Sequence, residues 1–109
     1  MERLQINQLS TIGRLRLSFG HGTLYTNSLT GNAYATTETY SGNADYIYAY
    51  VGAGDNLTVY VGTSNSSKNA SSVKTDTVNR SYESSRFAKS DHTITYNGET
   101  QTASNVDNY

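Results

Sequence analysis

Asp45-Tyr46-Ile47-Tyr48-Ala49-Tyr50-Val51 is followed by Gly52-Ala53-Gly54-Asp55-Asn56 and then by Leu57-Thr58-Val59-Tyr60-Val61-Gly62. In the first run Tyr46, Tyr48 and Tyr50 share one face, and Ile47, Ala49 and Val51 share the other. In the last run Leu57, Val59 and Val61 align opposite Thr58 and Tyr60. Alternation with period two marks a half-buried strand. The Gly-rich pentapeptide between the runs has turn chemistry. This is the most apolar part of the chain, and it reads as the central hairpin of an all-β domain.

Outward from this hairpin, short alternating runs and turn signals continue. Residues 14–19 place Leu15, Leu17 and Phe19 on one face and Arg14, Arg16 and Ser18 on the other, after a break at Gly13. Gly20-His21-Gly22 reads as a turn, and residues 23–28 as the return strand. Residues 33–40 carry a face of Ala33, Ala35, Thr37 and Thr39 small enough to pass closely under another sheet. Residues 64–72 have almost nothing to bury and read as an exposed loop. Residues 73–78 read as an edge strand, and residues 79–89 as an irregular connection with Phe87 anchored in the core. Asn97-Gly98 between alternating runs predicts a type I′ hairpin, because both positions need positive φ. Leu4 and Ile6 suggest a short first strand. The sum is a small antiparallel β-sandwich of about eight short strands, one domain over residues 1–109. Its expected core holds Leu15, Leu17, Phe19, Ile47 or Tyr48, Leu57, Val59, Val61, Phe87 and Ile94.

Leu, Ile, Val and Phe supply only 19 of 109 residues, while Ser, Thr and Asn supply 40. Low aliphatic content combined with high net charge marks disorder. Here the net charge is −1 and ten tyrosines provide large packing surfaces, so the chain reads as folded. The shortage of other large side chains favours placing the Tyr46–Tyr48–Tyr50 face inward. Outward, the same rings would stack on sugars or form a protein interface. Tyr46, Tyr48, Tyr50 and Tyr60 are the expected ligand-binding residues.

The chain has no Cys, which removes disulfides, thiolate metal sites and a Cys nucleophile. Near-neutral charge argues against nucleic acid as a partner, and no run approaches the length of a membrane span. His21 and His92 are the only histidines. Asp91 precedes His92 and Ser is abundant, yet no Gly-x-Ser-x-Gly elbow appears, so the reading is non-enzymatic. The spacing supports neither a metal nor a cofactor: Asn43, Asp45, Asp55 and Asn56 read as turn residues rather than calcium ligands.

Arg86-Phe87-Ala88-Lys89, the polar hairpin after it and the terminal aromatic Tyr109 resemble the tail of the lactococcin-type, septum-inhibiting bacteriocins. Gly20-His21-Gly22 is similar in flavour. Phe87 stands where that family has Trp, and the resemblance spans residues 86–109. It implies a small secreted β-sandwich. The resulting expectation is a secreted or extracellular, non-enzymatic protein that binds a glycan or protein at the bacterial cell surface, with its signal peptide not present in this chain. A lactococcin-like bacteriocin is the alternative. A subunit that self-assembles through edge strands is the second alternative, with residues 73–78 as the candidate edge.

Overall fold

A computed structural model describes residues 18–56, 58–80 and 86–109 in full, and the backbone of residues 10–16. The strands are β1 (Ser10–Arg16), β2 (Gly20–Asn27), β3 (Asn32–Thr39), β4 (Ala44–Asp55), β5 (Thr58–Ala70), β6 (Ser72–Lys74), β7 (Val78–Asn79), β8 (Arg86–Tyr96) and β9 (Glu99–Asn108). They form two antiparallel sheets. One runs β1-β2-β3-β6, with β7 also paired to β3; the other runs β5-β4-β8-β9. β6 and β7 lie along the same strand, β3, so they are two halves of one interrupted strand. The expected β-sandwich of about eight strands is the observed architecture. Among the described residues no helix is long and apolar enough to cross a membrane.

Only the first half of the stretch at residues 45–62 is central: β4 pairs with β5 on one side and β8 on the other, while β5 is an edge strand. The turn is shorter than expected. β4 continues through Gly52 and Gly54 to Asp55, and the chain reverses at Asn56, where φ is 48°. A register shift at Ala53 and Gly54 marks a bulge. An extra residue on one strand kinks the ladder there.

Ile47, Ala49, Val51 and Ala53 of β4 point inward and are fully buried, so the tyrosines between them face out. The expected inward Tyr face is therefore wrong. The core closes with Ala instead of Tyr: Ala33 and Ala35 from β3 meet Leu24, Ile94, Ala88, Val73 and Val78. Small facing residues let two sheets approach, and a narrow gap needs little side-chain volume. The small face read at residues 33–39 is real. Phe87 and Ile94 are buried as expected, whereas Phe19, Val59 and Val61 are half-buried at the margins. Leu15, Leu17, Leu57, Leu4 and Ile6 lie outside the residues whose side chains are described.

Four further expectations change. Gly13 lies inside β1, which spans Ser10–Arg16. Gly20-His21-Gly22 is not a turn but the first three residues of β2. Residues 64–70 are not a loop: they complete β5, pairing Ser64, Ser66 and Lys68 with Tyr50, Tyr48 and Tyr46. An edge strand that is polar on both faces shows no alternation for the eye to find. The irregular connection expected over residues 79–89 ends earlier, because β8 begins at Arg86.

The two open seams of the sandwich are stitched by side chains. On one seam the Gln101 Oε1 of β9 accepts from the Phe19 backbone N–H at 3.3 Å, and buried Thr26 donates to Asp107 at 2.6 Å. On the other, Asn65 of β5 donates to the Lys74 carbonyl of β6 at 3.0 Å. Edge N–H groups are also capped: Asn65 accepts from the Ser66 N–H and Asn105 from the Val106 N–H, both at 2.9 Å. At one end Tyr109 closes the structure. Its hydroxyl donates to the Gly31 carbonyl at 2.8 Å, and its ring lies under the Arg86 guanidinium, which also donates to the Ser28 carbonyl. Burial raises the Tyr109 hydroxyl pKa, with Arg86 partly opposing.

Candidate functional site

The outer face of the β5-β4-β8-β9 sheet is built by register. Tyr46, Tyr48 and Tyr50 form the central column. Lys68, Ser66 and Ser64 stand opposite them on β5, and Thr95, Thr93 and Asp91 on β8. One strand further, Thr100, Thr102 and Ser104 of β9 continue the same rows. The result is a ridge of three half-buried aromatic rings between borders that are mostly Ser and Thr, with Lys68 beside Tyr46 and Asp91 beside Tyr50. Alternate residues on a strand stand about 6.7 Å apart, so the row is about 13 Å long.

The borders are internally ordered. Thr95 and Thr100 share a hydrogen bond at 2.8 Å, and Ser104 donates to Asp91 at 2.6 Å. The Thr ladder faces out, as its sequence pattern predicts. Lys89 lies 3.8 Å from Asp91, so the one acidic position of the column beside Tyr50 has a nearby cation.

Tyr50 has a second task. Its hydroxyl would stand 2.5 Å from a Cβ at Gly52 and 2.6 Å from one at Gly62, a cross-strand pair. The ring therefore lies down over two glycines whose bare backbone it shields. Burial is the main cause of its raised pKa, followed by the Asp91 and Tyr48 charges. Tyr50→Ala uncovers both glycines and is expected to cost about 1–2 kcal/mol in urea unfolding. Tyr50→Phe, which keeps the ring, should cost much less.

Tyr60 does not join the row. It is the bulged residue itself, left unpaired between Val59 and Val61, is 61% exposed, and has the Arg80 guanidinium 4.8 Å from its ring centre. Arg80 in turn holds Asp55 through two contacts of 3.1 Å. Three of the four expected ligand-binding tyrosines are thus brought together and the fourth is set apart.

His92 is a core residue. It is completely buried on the inner face of β8, with Ser90 Oγ at 2.7 Å from Nε2 and Thr37 Oγ1 at 2.8 Å from Nδ1. Thr37 donates its hydroxyl proton to the Tyr48 carbonyl at 2.8 Å. It must therefore accept from His92, which places the imidazole proton on Nδ1 and leaves Nε2 to accept from Ser90. Burial lowers the His92 pKa to about 4, with the Asp91 charge opposing. This neutral chain of hydrogen bonds links β3, β4 and β8 beneath the tyrosine ridge. His21 stays outside, 3.0 Å from Glu38 across β2 and β3. Among the described residues no three His, Asp or Glu side chains gather into a metal-holding group.

A second aromatic feature was not anticipated from the sequence. Phe19, Tyr40 and Tyr96 converge with Ser18 and Ser41 on an open cleft of about 270 Å³. Tyr40 precedes Ser41-Gly42-Asn43 and Tyr96 precedes Asn97-Gly98, two reversal signals, while Phe19 itself lies in the connection between β1 and β2. In an antiparallel sandwich these reversals fall at one end, and that coincidence was the available clue.

Comparison of the chain with protein-family models, with curated proteins and with solved structures finds no match.

Proposed function

We propose that this is a non-enzymatic binding protein, secreted and acting at the bacterial cell surface, and that the Tyr46–Tyr48–Tyr50 ridge takes a glycan chain. The observation that carries the reading is the outward ridge itself, bordered mostly by Ser and Thr hydroxyls with Lys68 and Asp91 at its ends. Aromatic faces pack against the C–H faces of sugar rings, while Ser and Thr hydroxyls answer the sugar hydroxyls. A protein partner would ask for a deep apolar anchor at the centre of the patch, and this face offers rings set among small polar groups. The sealed position of His92 supports a non-catalytic role. Secretion and the cell-surface setting rest on the Cys-free, Ser/Thr/Asn/Tyr-rich composition and on the likeness of residues 86–109 to secreted bacteriocins. One N–H on each of the edge strands β5 and β9 is taken by the preceding Asn side chain, which works against strand addition at those two points.

The test is retention on insoluble cell-wall glycans and on a glycan array. Tyr48→Ala, in the middle of the row, is expected to weaken retention roughly threefold to tenfold, the size of one lost ring contact. Tyr48→Phe should retain most of it. Wild-type protein that binds no glycan sinks the reading. Killing of Gram-positive cells in a growth-inhibition assay would favour the bacteriocin alternative.

A further inference from the structure

The cleft at the reversal end of the sandwich shares no residue with the tyrosine ridge. We propose that it is a second binding site, for a single pyranose ring. Phe19 and Tyr96 pack at 5.5 Å with their planes tilted 42°, so they form two walls at an angle rather than one stack. Tyr40 supplies the third. It is 50% exposed, which leaves half of a large aromatic ring in water. A ring left in this way next to two others gains by covering a ligand.

The walls are held in place before any ligand arrives. The Tyr40 N–H donates to the Phe19 carbonyl at 3.0 Å. Thr39 donates to the Gly42 carbonyl at 2.6 Å, fixing the reversal that carries Ser41. The His21 ring packs against Tyr40 at 5.8 Å, and His21 is itself held by Glu38 at 3.0 Å. Ordered walls lower the conformational cost of binding.

The chemistry of the lining selects the occupant. The five described lining residues are uncharged, and four of them carry hydroxyls: Ser18, Tyr40, Ser41 and Tyr96. The Tyr96 hydroxyl reaches the Ser41 carbonyl only at 3.4 Å, a weak bond that a ligand hydroxyl would improve on. Rings combined with several hydroxyls suit a polyhydroxylated ring. A cation would prefer a free carboxylate beside the rings, and Glu38 is already engaged by His21. The volume of about 270 Å³ lies just under the usual range of about 300–1,000 Å³ for small-molecule sites. It therefore suits one sugar ring, whereas the 13 Å row addresses a chain.

Saturation-transfer NMR with a panel of methyl glycosides, including that of N-acetylglucosamine, tests this against the wild-type protein. At millimolar sugar, at least one glycoside is expected to give ring-proton signals and to shift the Phe19, Tyr40 and Tyr96 resonances. Tyr40→Ala, at an exposed position that leaves the core intact, should reduce the signal at least fivefold with an unchanged melting temperature. Tyr48→Ala should leave it unchanged, and Tyr40→Ala should leave polymer retention largely intact. These two variants separate the cleft from the ridge, so either reading can fail alone. The cleft proposal is overturned if no glycoside shifts the three resonances. It is equally overturned if tetramethylammonium shifts them and sugars do not, or if Tyr40→Ala binds monosaccharide as well as wild type.

Discussion

Gly22→Ala is expected to destabilise the protein by roughly 3 kcal/mol or more, which for a domain of this size lowers the melting temperature by on the order of 15 °C. A Cβ on Gly22 would fall well inside the 3.0 Å that real Cβ atoms keep from their neighbours, against Cγ, Cδ2 and Nδ1 of His92. The ring cannot yield. It is completely buried and pinned at both nitrogens, by Thr37 and by Ser90. Nor can β2 shift alone, because its ladders to β1 and β3 fix it on both sides.

A double-mutant cycle distinguishes this clash from a general preference for Gly. His92→Ala will itself destabilise, since it opens a cavity and strips partners from Ser90 and Thr37. With the ring gone, however, adding Ala at position 22 should cost at least 1 kcal/mol less than it does beside the imidazole. Equal costs in the two backgrounds would show that His92 is not what Gly22 makes room for.

The same contact explains why part of the fold was hidden in the sequence. Gly-x-Gly ordinarily punctuates a chain, so Gly20-His21-Gly22 was expected to turn. In the folded protein Gly20 and Gly22 are strand residues whose missing side chains admit Ile94 and His92 from the opposite sheet. Gly22 makes room for a ring some seventy residues away, and a Cβ on Gly20 would meet first the Glu38 carbonyl of the neighbouring strand and then Ile94; neither contact has a local signature. The strands around residues 45–51 and 90–96 were legible because each has one buried and one exposed face. The Asn97-Gly98 turn was legible because its chemistry is local, and its φ values of 50° and 79° agree. Residues 64–70 were not legible as strand, since Ser, Asn and Lys on both faces leave no period to detect.

For the candidate site, the sequence put Tyr46, Tyr48 and Tyr50 on one face and favoured the wrong side of the sheet for it. The inference followed volume: with few large aliphatic side chains, ten tyrosines were the obvious core material. Packing answered differently. Ala33, Ala35, Ala49, Ala53 and Ala88 let the sheets close with little volume between them, and the rings of β4 were left outside. Tyr60 was grouped with them by spacing alone. The bulge opposite Ala53 and Gly54 leaves Tyr60 unpaired, and its ring lies against Arg80.

The second large effect is a loss of stability between about pH 6.5 and pH 4 that belongs to His92. In the unfolded chain its pKa is the ordinary 6.5; in the fold, burial lowers it to about 4, with the Asp91 charge and a Thr36 backbone hydrogen bond partly opposing and His21 adding slightly to the drop. Between these values the unfolded state binds the additional proton, so stability rises with pH across the window. The contribution is complete above about pH 6.5 and is lost as pH falls through about 4. A shift of this size corresponds to about 3 kcal/mol. Hydrogen bonding does not prevent the charging, because Ser90 can turn its hydroxyl and accept from a protonated Nε2. What opposes the proton is the dry interior between the sheets. Urea unfolding at several pH values between 7 and 4 checks the slope. His92→Gln should be less stable at pH 7, yet should show a flatter profile through the same window. The His92 ring Cε1–H signal should stay at its neutral position down to about pH 5. A wild-type slope matching that of His92→Gln would assign the acid sensitivity to other groups.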